Sequence, residues 1–304
     1  MSPRPPAVSP LPPQPADAVS SDVPTMTDPT HDSLSAEAAA WPDLSDRLGR
    51  PRGGDGARVL AVTSGKGGVG KTQVGANLAA ALARGGQRVL VLDADLGLAN
   101  LDVVLNLSAR ITLHQVFTGE ADVREALVDA PGGFHALLAG SGLVEYSRLT
   151  PEVRDRLQRL LQQLRPYLDV IVLDTGAGLS DVVLYTVSLA DEVLVVTTPE
   201  PTALADAYAT IKVLDRHQRP RPLHLLVNQV QRAGEGAALA AQLQQVLDRY
   251  VGPRPPRLRL LGEVPSDTAV RDCVLRRQLL LEQAPGSPAA LALALAASRL
   301  MAAA

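Results

Sequence analysis

Residues 65–72 read Gly-Lys-Gly-Gly-Val-Gly-Lys-Thr, a spacing that can grip phosphate. Gly65, Gly67, Gly68 and Gly70 let the backbone turn tightly beside an anion without a Cβ in the way. Successive N–H groups, Val69 included, then converge on phosphate oxygens, and a helix beginning here adds its positive end. In the pattern G-x-x-x-x-G-K-[ST], Lys71 reaches the β/γ-phosphates and the Thr72 hydroxyl holds Mg²⁺. The loop carries a second lysine, Lys66, which an ordinary phosphate loop does not need. It points to a phosphate elsewhere, for example on another subunit.

Four further groups sit where apolar runs end. Asp93-Ala-Asp95 follows one such run, and Asp174 closes Val170-Ile-Val-Leu-Asp174 and runs into Thr175-Gly-Ala-Gly178. Carboxylates at this edge of a parallel sheet can orient an attacking water and complete a Mg²⁺ shell. Asp95 and Asp174 are the candidates, with Asp93 also readable as a loop cap. Asn228 ends a later run, and Pro265 and Asp267 follow the last one. An amide and a short loop there can wall a base pocket, although both are also ordinary turn chemistry.

Elements must bring these groups together. Apolar runs at Arg58–Thr63, Arg88–Leu92, His135–Leu138, Val170–Asp174, Glu192–Thr197, Leu223–Val227 and Leu258–Leu261 read as buried strands. Helical patterns lie between most of them, among them Thr72–Arg84, stopped by Gly85-Gly86, and Ser180–Ala190. Near-continuous Val/Leu strands alternating with helices predict a three-layer α/β sandwich with a mainly parallel sheet covered on both faces.

Composition bounds the rest. The chain has 304 residues, 46% of them apolar, and a net charge of −3. That balance gives no general attraction to nucleic acid. A single cysteine, Cys273, excludes a disulfide framework and a cysteine-ligated cluster. No signal core and no span-length apolar run is present, so a cytoplasmic protein is expected. The first 57 residues hold 11 of the 24 prolines and read as a disordered leader, with a short helix allowed at 33–40 and a docking segment at 41–48. The end, Ser287–Ala304, is Ala/Leu-rich with one basic residue, Arg299, and reads as a packed helix rather than a membrane-surface one. An arginine cluster (Arg254, Arg257, Arg259, Arg271, Arg276, Arg277) is interspersed with Glu263, Asp267 and Asp272 and reads as a solvated face.

The combination of Gly65–Thr72, Asp93-Ala-Asp95-Leu-Gly-Leu-Ala-Asn-Leu-Asp102, Asp174–Gly178 and Val196-Thr-Thr-Pro-Glu-Pro-Thr202 resembles the MinD/ParA family of dimerising ATPases. Asp206-Ala-Tyr-Ala-Thr-Ile-Lys-Val-Leu214 adds a likeness to its flagellar-number branch, FlhG/FleN. The resemblance covers about residues 58–285 and implies a P-loop NTPase fold with a deviant Walker A loop over 58–304, using ATP and Mg²⁺. It gives Lys66 the role of reaching a partner's phosphates, Lys71 and Thr72 those of phosphate and metal ligand, Asp95 that of positioning water and Asp174 that of supporting the metal. Asn228, Pro265 and Asp267 fall in its base-binding region. It implies a homodimer when ATP is bound and a switch controlling flagellar number and placement. Its partners would be an FlhF-type GTPase, a flagellar transcription activator or a basal-body protein, with peripheral contact at the inner face of the membrane allowed. The alternatives are an ATPase positioning the division site or another cargo, and a nucleotide-binding scaffold without turnover.

Overall fold

The computed structural model describes residues 43–54, 56–95, 99–140, 150–217 and 220–302. The possible helix at 33–40, Trp41 and most of the Pro-rich leader lie outside them. In chain order the elements are α1 (Ser45–Leu48), β1 (Arg58–Ser64), α2 (Lys71–Arg84), β2 (Val89–Asp93), α3 (Leu101–Leu105), α4 (Leu113–Thr118), α5 (Val123–Ala126), β3 (Leu127–Asp129), β4 (His135–Leu137), α6 (Pro151–Leu164), β5 (Val170–Ala177), α7 (Asp181–Ser188), β6 (Glu192–Thr197), α8 (Pro201–His217), β7 (Leu223–Val230), α9 (Glu235–Tyr250), β8 (Leu258–Pro265), α10 (Thr268–Arg276), α11 (Leu280–Gln283) and α12 (Pro288–Ala302).

The strands form one sheet in the order β3-β4-β2-β5-β1-β6-β7-β8. All neighbours are parallel except β3 and β4. Alternate side chains feed two separate cores, as the period of two in a strand requires. Val59, Ala61, Ile171, Leu173, Val193 and Val195 enter one. Leu60, Val62, Val170, Val172, Leu194 and Val196 enter the other. This is the three-layer sandwich expected, and it explains why the strands are apolar without alternation.

All seven expected strands form. The eighth, β3, is a three-residue antiparallel edge turned back by Gly132 and Gly133, whose φ values are 90° and 84°. Three residues after a helical turn carry no period to read. Arg47 Nη2 donates to the Leu127 carbonyl on this edge at 2.9 Å, covering an exposed strand.

That contact belongs to a difference from the sequence reading. The stretch before 58, taken from composition as the end of the leader, contains α1 and buries Leu44 and Leu48 in the core with Leu157, Leu160 and Leu164. Two leucines four apart on one helical turn anchor it, a signal too short to outweigh the surrounding prolines and glycines.

The terminal helix α12 packs as expected. Ala289, Ala290, Leu293, Ala296, Ala297 and Leu300 are buried. Its one cation, Arg299, donates back to the Leu261 carbonyl at 3.1 Å, and Arg58 Nη2 ties down the Leu300 carbonyl at 3.1 Å. Among the described residues no helix is long and apolar enough to cross a membrane.

Candidate functional site

The sheet order gathers the singled-out groups at one edge. β5 lies between β1 and β2, so the loop leaving β1, Asp174 within β5 and Asp93 at the end of β2 are neighbours; β5 itself runs three residues past Asp174, to Ala177. Asp174 pairs in register with Val62 on one side and Asp93 on the other. The helices leave this edge for opposite faces, which opens a crevice at the strand ends.

The loop is built as its glycines demand. Gly68 and Gly70 have φ of 78° and 94°, and Gly70 is the N-cap of α2. Gly65 is fixed by packing: a Cβ there would lie 2.3 Å from the Asp206 carbonyl oxygen of α8. The Ser64 hydroxyl donates to the Lys66 carbonyl at 2.7 Å and closes the turn. Lys71 follows at the first turn of α2. Burial lowers its pKa, while the charges of Asp174 and Asp95 act in the opposite sense.

The carboxylates divide into different roles. Asp93 is buried, and its oxygens accept from the backbone N–H groups of Asp95, Asn100 and Leu101 at 3.2–3.3 Å. It is the loop cap that the sequence allowed. Burial, then the neighbouring Asp174 charge, pushes its pKa up to about 7 against those N–H bonds. Asp174 is also buried; desolvation raises its pKa to about 6, opposed by the Thr72 hydroxyl and the Lys71 charge. The Asp95 carboxyl lies over Gly176, where a Cβ would sit 3.3 Å from it. The glycine after Thr175 thus makes room for the water-positioning candidate.

The donors fit Mg²⁺. The Thr72 hydroxyl donates to Asn100 Oδ1 at 3.2 Å and lies close enough to Asp174 to favour its ionised form. Asp174 Oδ1 is buried with no hydrogen-bond partner, an acceptor waiting for a donor such as metal-bound water. Among the described residues no group of three or more His, Cys, Asp or Glu side chains could cage a metal. One hydroxyl with nearby carboxylates suits Mg²⁺, which keeps waters and takes phosphate oxygens instead of an all-protein shell.

Lys66 is held by residues beyond its own loop. Its Nζ pairs with Glu200 at 2.5 Å and donates to Thr202 Oγ1 at 3.1 Å. Both partners lie in Thr-Thr-Pro-Glu-Pro-Thr after β6, a stretch to which the residues alone gave no role. The one sequence signal was a carboxylate at a strand's C-terminal edge. Asn100 beside Thr72 was missed in the same way.

The base-region residues have structural work that the sequence did not show. Asn228 Nδ2 donates to the Val69 carbonyl at 2.8 Å, and its Oδ1 accepts from the Gln229 N–H at 2.9 Å. It braces β7 against the phosphate loop; a Cβ at Gly70 would stand 2.6 Å from its amide nitrogen. Pro265 ends β8. Asp267 caps α10 through Ala269 N–H at 2.9 Å and α12 through Ala289 N–H at 3.1 Å. Partial burial opposes its ionisation, but these bonds and the Ser287 hydroxyl hold its pKa below the usual value. Asp267→Ala is expected to cost about 1–2 kcal/mol through two lost caps, read in a urea titration. Unchanged stability would show that the caps contribute nothing.

The sequence model of the AAA domain family matches residues 57–223. The antiactivator FleN of Pseudomonas aeruginosa is 43% identical over 77% of this chain and 83% of its own. The flagellum site-determining protein YlxH of Helicobacter pylori is 33% identical over 75% of this chain and 76% of its own. Among solved structures, the septum site-determining protein MinD of Pyrococcus horikoshii, complexed with Mg-ADP, superposes with a TM-score of 0.68 at 27% identity, covering 80% of this chain and 96% of that one. With this phosphate loop, its extra lysine and the aspartates beside it, the chain belongs to the MinD/ParA family of phosphate-loop ATPases that bind ATP with Mg²⁺, in the branch of FleN.

Proposed function

We propose that the protein is an ATP-driven dimer switch that sets the number and placement of flagella. The observation that carries the switch is that Lys66 is held by Glu200 and Thr202 in the single chain. Both side chains of that ion pair are more than a third exposed, at 38% and 61%. Such a pair is worth about 0–1 kcal/mol, so a partner's phosphates can displace Glu200 at little cost. ATP with Mg²⁺, held by Gly65–Thr72 and supported by Asp174, then serves as the bridge between two chains. Asp95 positions the attacking water, and hydrolysis removes the bridging phosphate and reopens the dimer. Asn228, Pro265 and Asp267 border the base end of the nucleotide, their side chains positioning backbone there.

The flagellar assignment rests on similarity to an antiactivator and a flagellum site-determining protein. By that likeness the dimer restrains a flagellar transcription activator, with an FlhF-type GTPase or a basal-body protein as further partners. It acts in the cytoplasm or peripherally at the inner face of the membrane. Deleting the gene in the organism that encodes it is expected to change the count or position of flagella seen by electron microscopy, restored by the wild-type chain but not by Asp95→Ala. Unchanged flagella after deletion would refute the assignment.

A further inference from the structure

The arginine cluster read from the sequence as one solvated face is split by the fold. Arg254, Arg257 and Arg259 come together with Arg221 around a cavity of about 630 Å³. The cavity opens at the beginnings of β6, β7 and β8, marked by Val193, Leu223 and Arg259. The phosphate loop lies at the other edge of the sheet, after β1 ends. Its floor is apolar, formed by the buried Val193, Ile211, Leu214 and Leu223. Pro220, Pro222, Pro255 and Pro256 form the walls.

We propose that this cavity is a docking site for an acidic peptide stretch of a partner protein, anchored by an aliphatic side chain. Its volume is in the range of ligand pockets, about 300–1,000 Å³. Four arginines face one lining carboxylate, Asp215. Not all are equally available. Arg221 is committed to the Val187 and Ala190 carbonyls at 2.6 and 2.8 Å, and Arg259 lies in the field of Glu192. Arg254 is exposed, and Arg257 meets Asp248 only at 3.3 Å with 75% of its side chain exposed. A weak surface pair yields readily to an incoming carboxylate, and guanidinium groups bind carboxylates in a two-pronged fashion. The apolar floor gives such a peptide a place for Leu, Ile or Val, which a nucleic-acid backbone has no use for. The prolines fix φ around the rim, so little order must be created on binding. The positive charge is local, in a chain whose net charge is −3, and this favours a short acidic motif over a long polyanion. A peptide here leaves the nucleotide edge accessible, so the site serves a partner in either nucleotide state.

The test pans a phage library of random short peptides on the full chain, with counter-selection against Arg254→Glu/Arg257→Glu. The most enriched sequence is then synthesised and measured by fluorescence anisotropy. Enrichment of Asp and Glu around an aliphatic residue is expected. The double variant should weaken binding at least about tenfold, with thermal midpoint and ATP turnover unchanged because both arginines are exposed and far from the phosphate loop. Replacing the aliphatic residue by Ser should weaken binding by about the same factor. Failure to enrich acidic sequences, or equal binding by the double variant, overturns the proposal. So does duplex DNA of mixed sequence that binds the chain and loses affinity in the same variant, which makes the cavity a nucleic-acid site.

Discussion

Asp95→Ala is expected to lower ATP turnover by about 10²–10⁴ while leaving ATP binding and ATP-dependent dimerisation in place. In the proposed site, phosphate binding rests on the loop backbone and on Lys71, neither of which needs the Asp95 carboxyl. That carboxyl lies over Gly176, and in the proposed role it orients the attacking water rather than holding the nucleotide. Loss of the base with retention of the bridge traps a closed dimer. Phosphate release and light scattering, measured on the same sample, separate the two effects. Asp95→Asn, which keeps the shape against Gly176, should show the same loss of turnover and so exclude a packing defect. Turnover within a few-fold of wild type in both variants removes Asp95 from the chemistry.

Lys66→Ala is expected to abolish the ATP-dependent doubling of mass and with it most of the turnover. A cation supplied across an interface to the transition state contributes about 10³–10⁵ in rate. ATP binding by the single chain should change little, because Lys66 already faces Glu200 and Thr202 rather than its own loop. Lys71→Ala provides the contrast, since it removes the lysine of the chain's own site and should weaken nucleotide binding itself. Calorimetric titration of nucleotide, followed by light scattering, distinguishes the two lysines. Normal dimerisation of Lys66→Ala defeats the trans-lysine reading, and weakened monomer binding makes Lys66 an ordinary phosphate ligand.

Much of this site was legible because its information is local. Gly65–Thr72 specifies a loop through the φ values that its glycines permit and a helix through the residues that follow. Asp174 announces itself by ending four aliphatics. The strands of the parallel sheet were visible as uninterrupted Val/Leu runs because both of their faces are covered. What escaped was short or non-local. The strand Leu127–Asp129 and the turn Ser45–Leu48 are too brief to show a period. The capping by Asp267 was not visible either, since its carboxylate joins the starts of two helices, one of them 22 residues further on.

The loop, the acidic residues near it and the alternation of strand and helix are properties of single segments, since each follows from backbone freedom or from apolar spacing within one element. Which of these groups meet depends on the folded sheet. Placing β5 between β1 and β2 brings Asp174 beside both Asp93 and the phosphate loop. Placing β6 on the other side of β1 brings Glu200 to Lys66 across 134 residues. Strand order is set by how the two cores pack, a sum over many contacts that no single segment carries. For that reason the identity of the second lysine could be read from the chain, whereas the residue that restrains it could not.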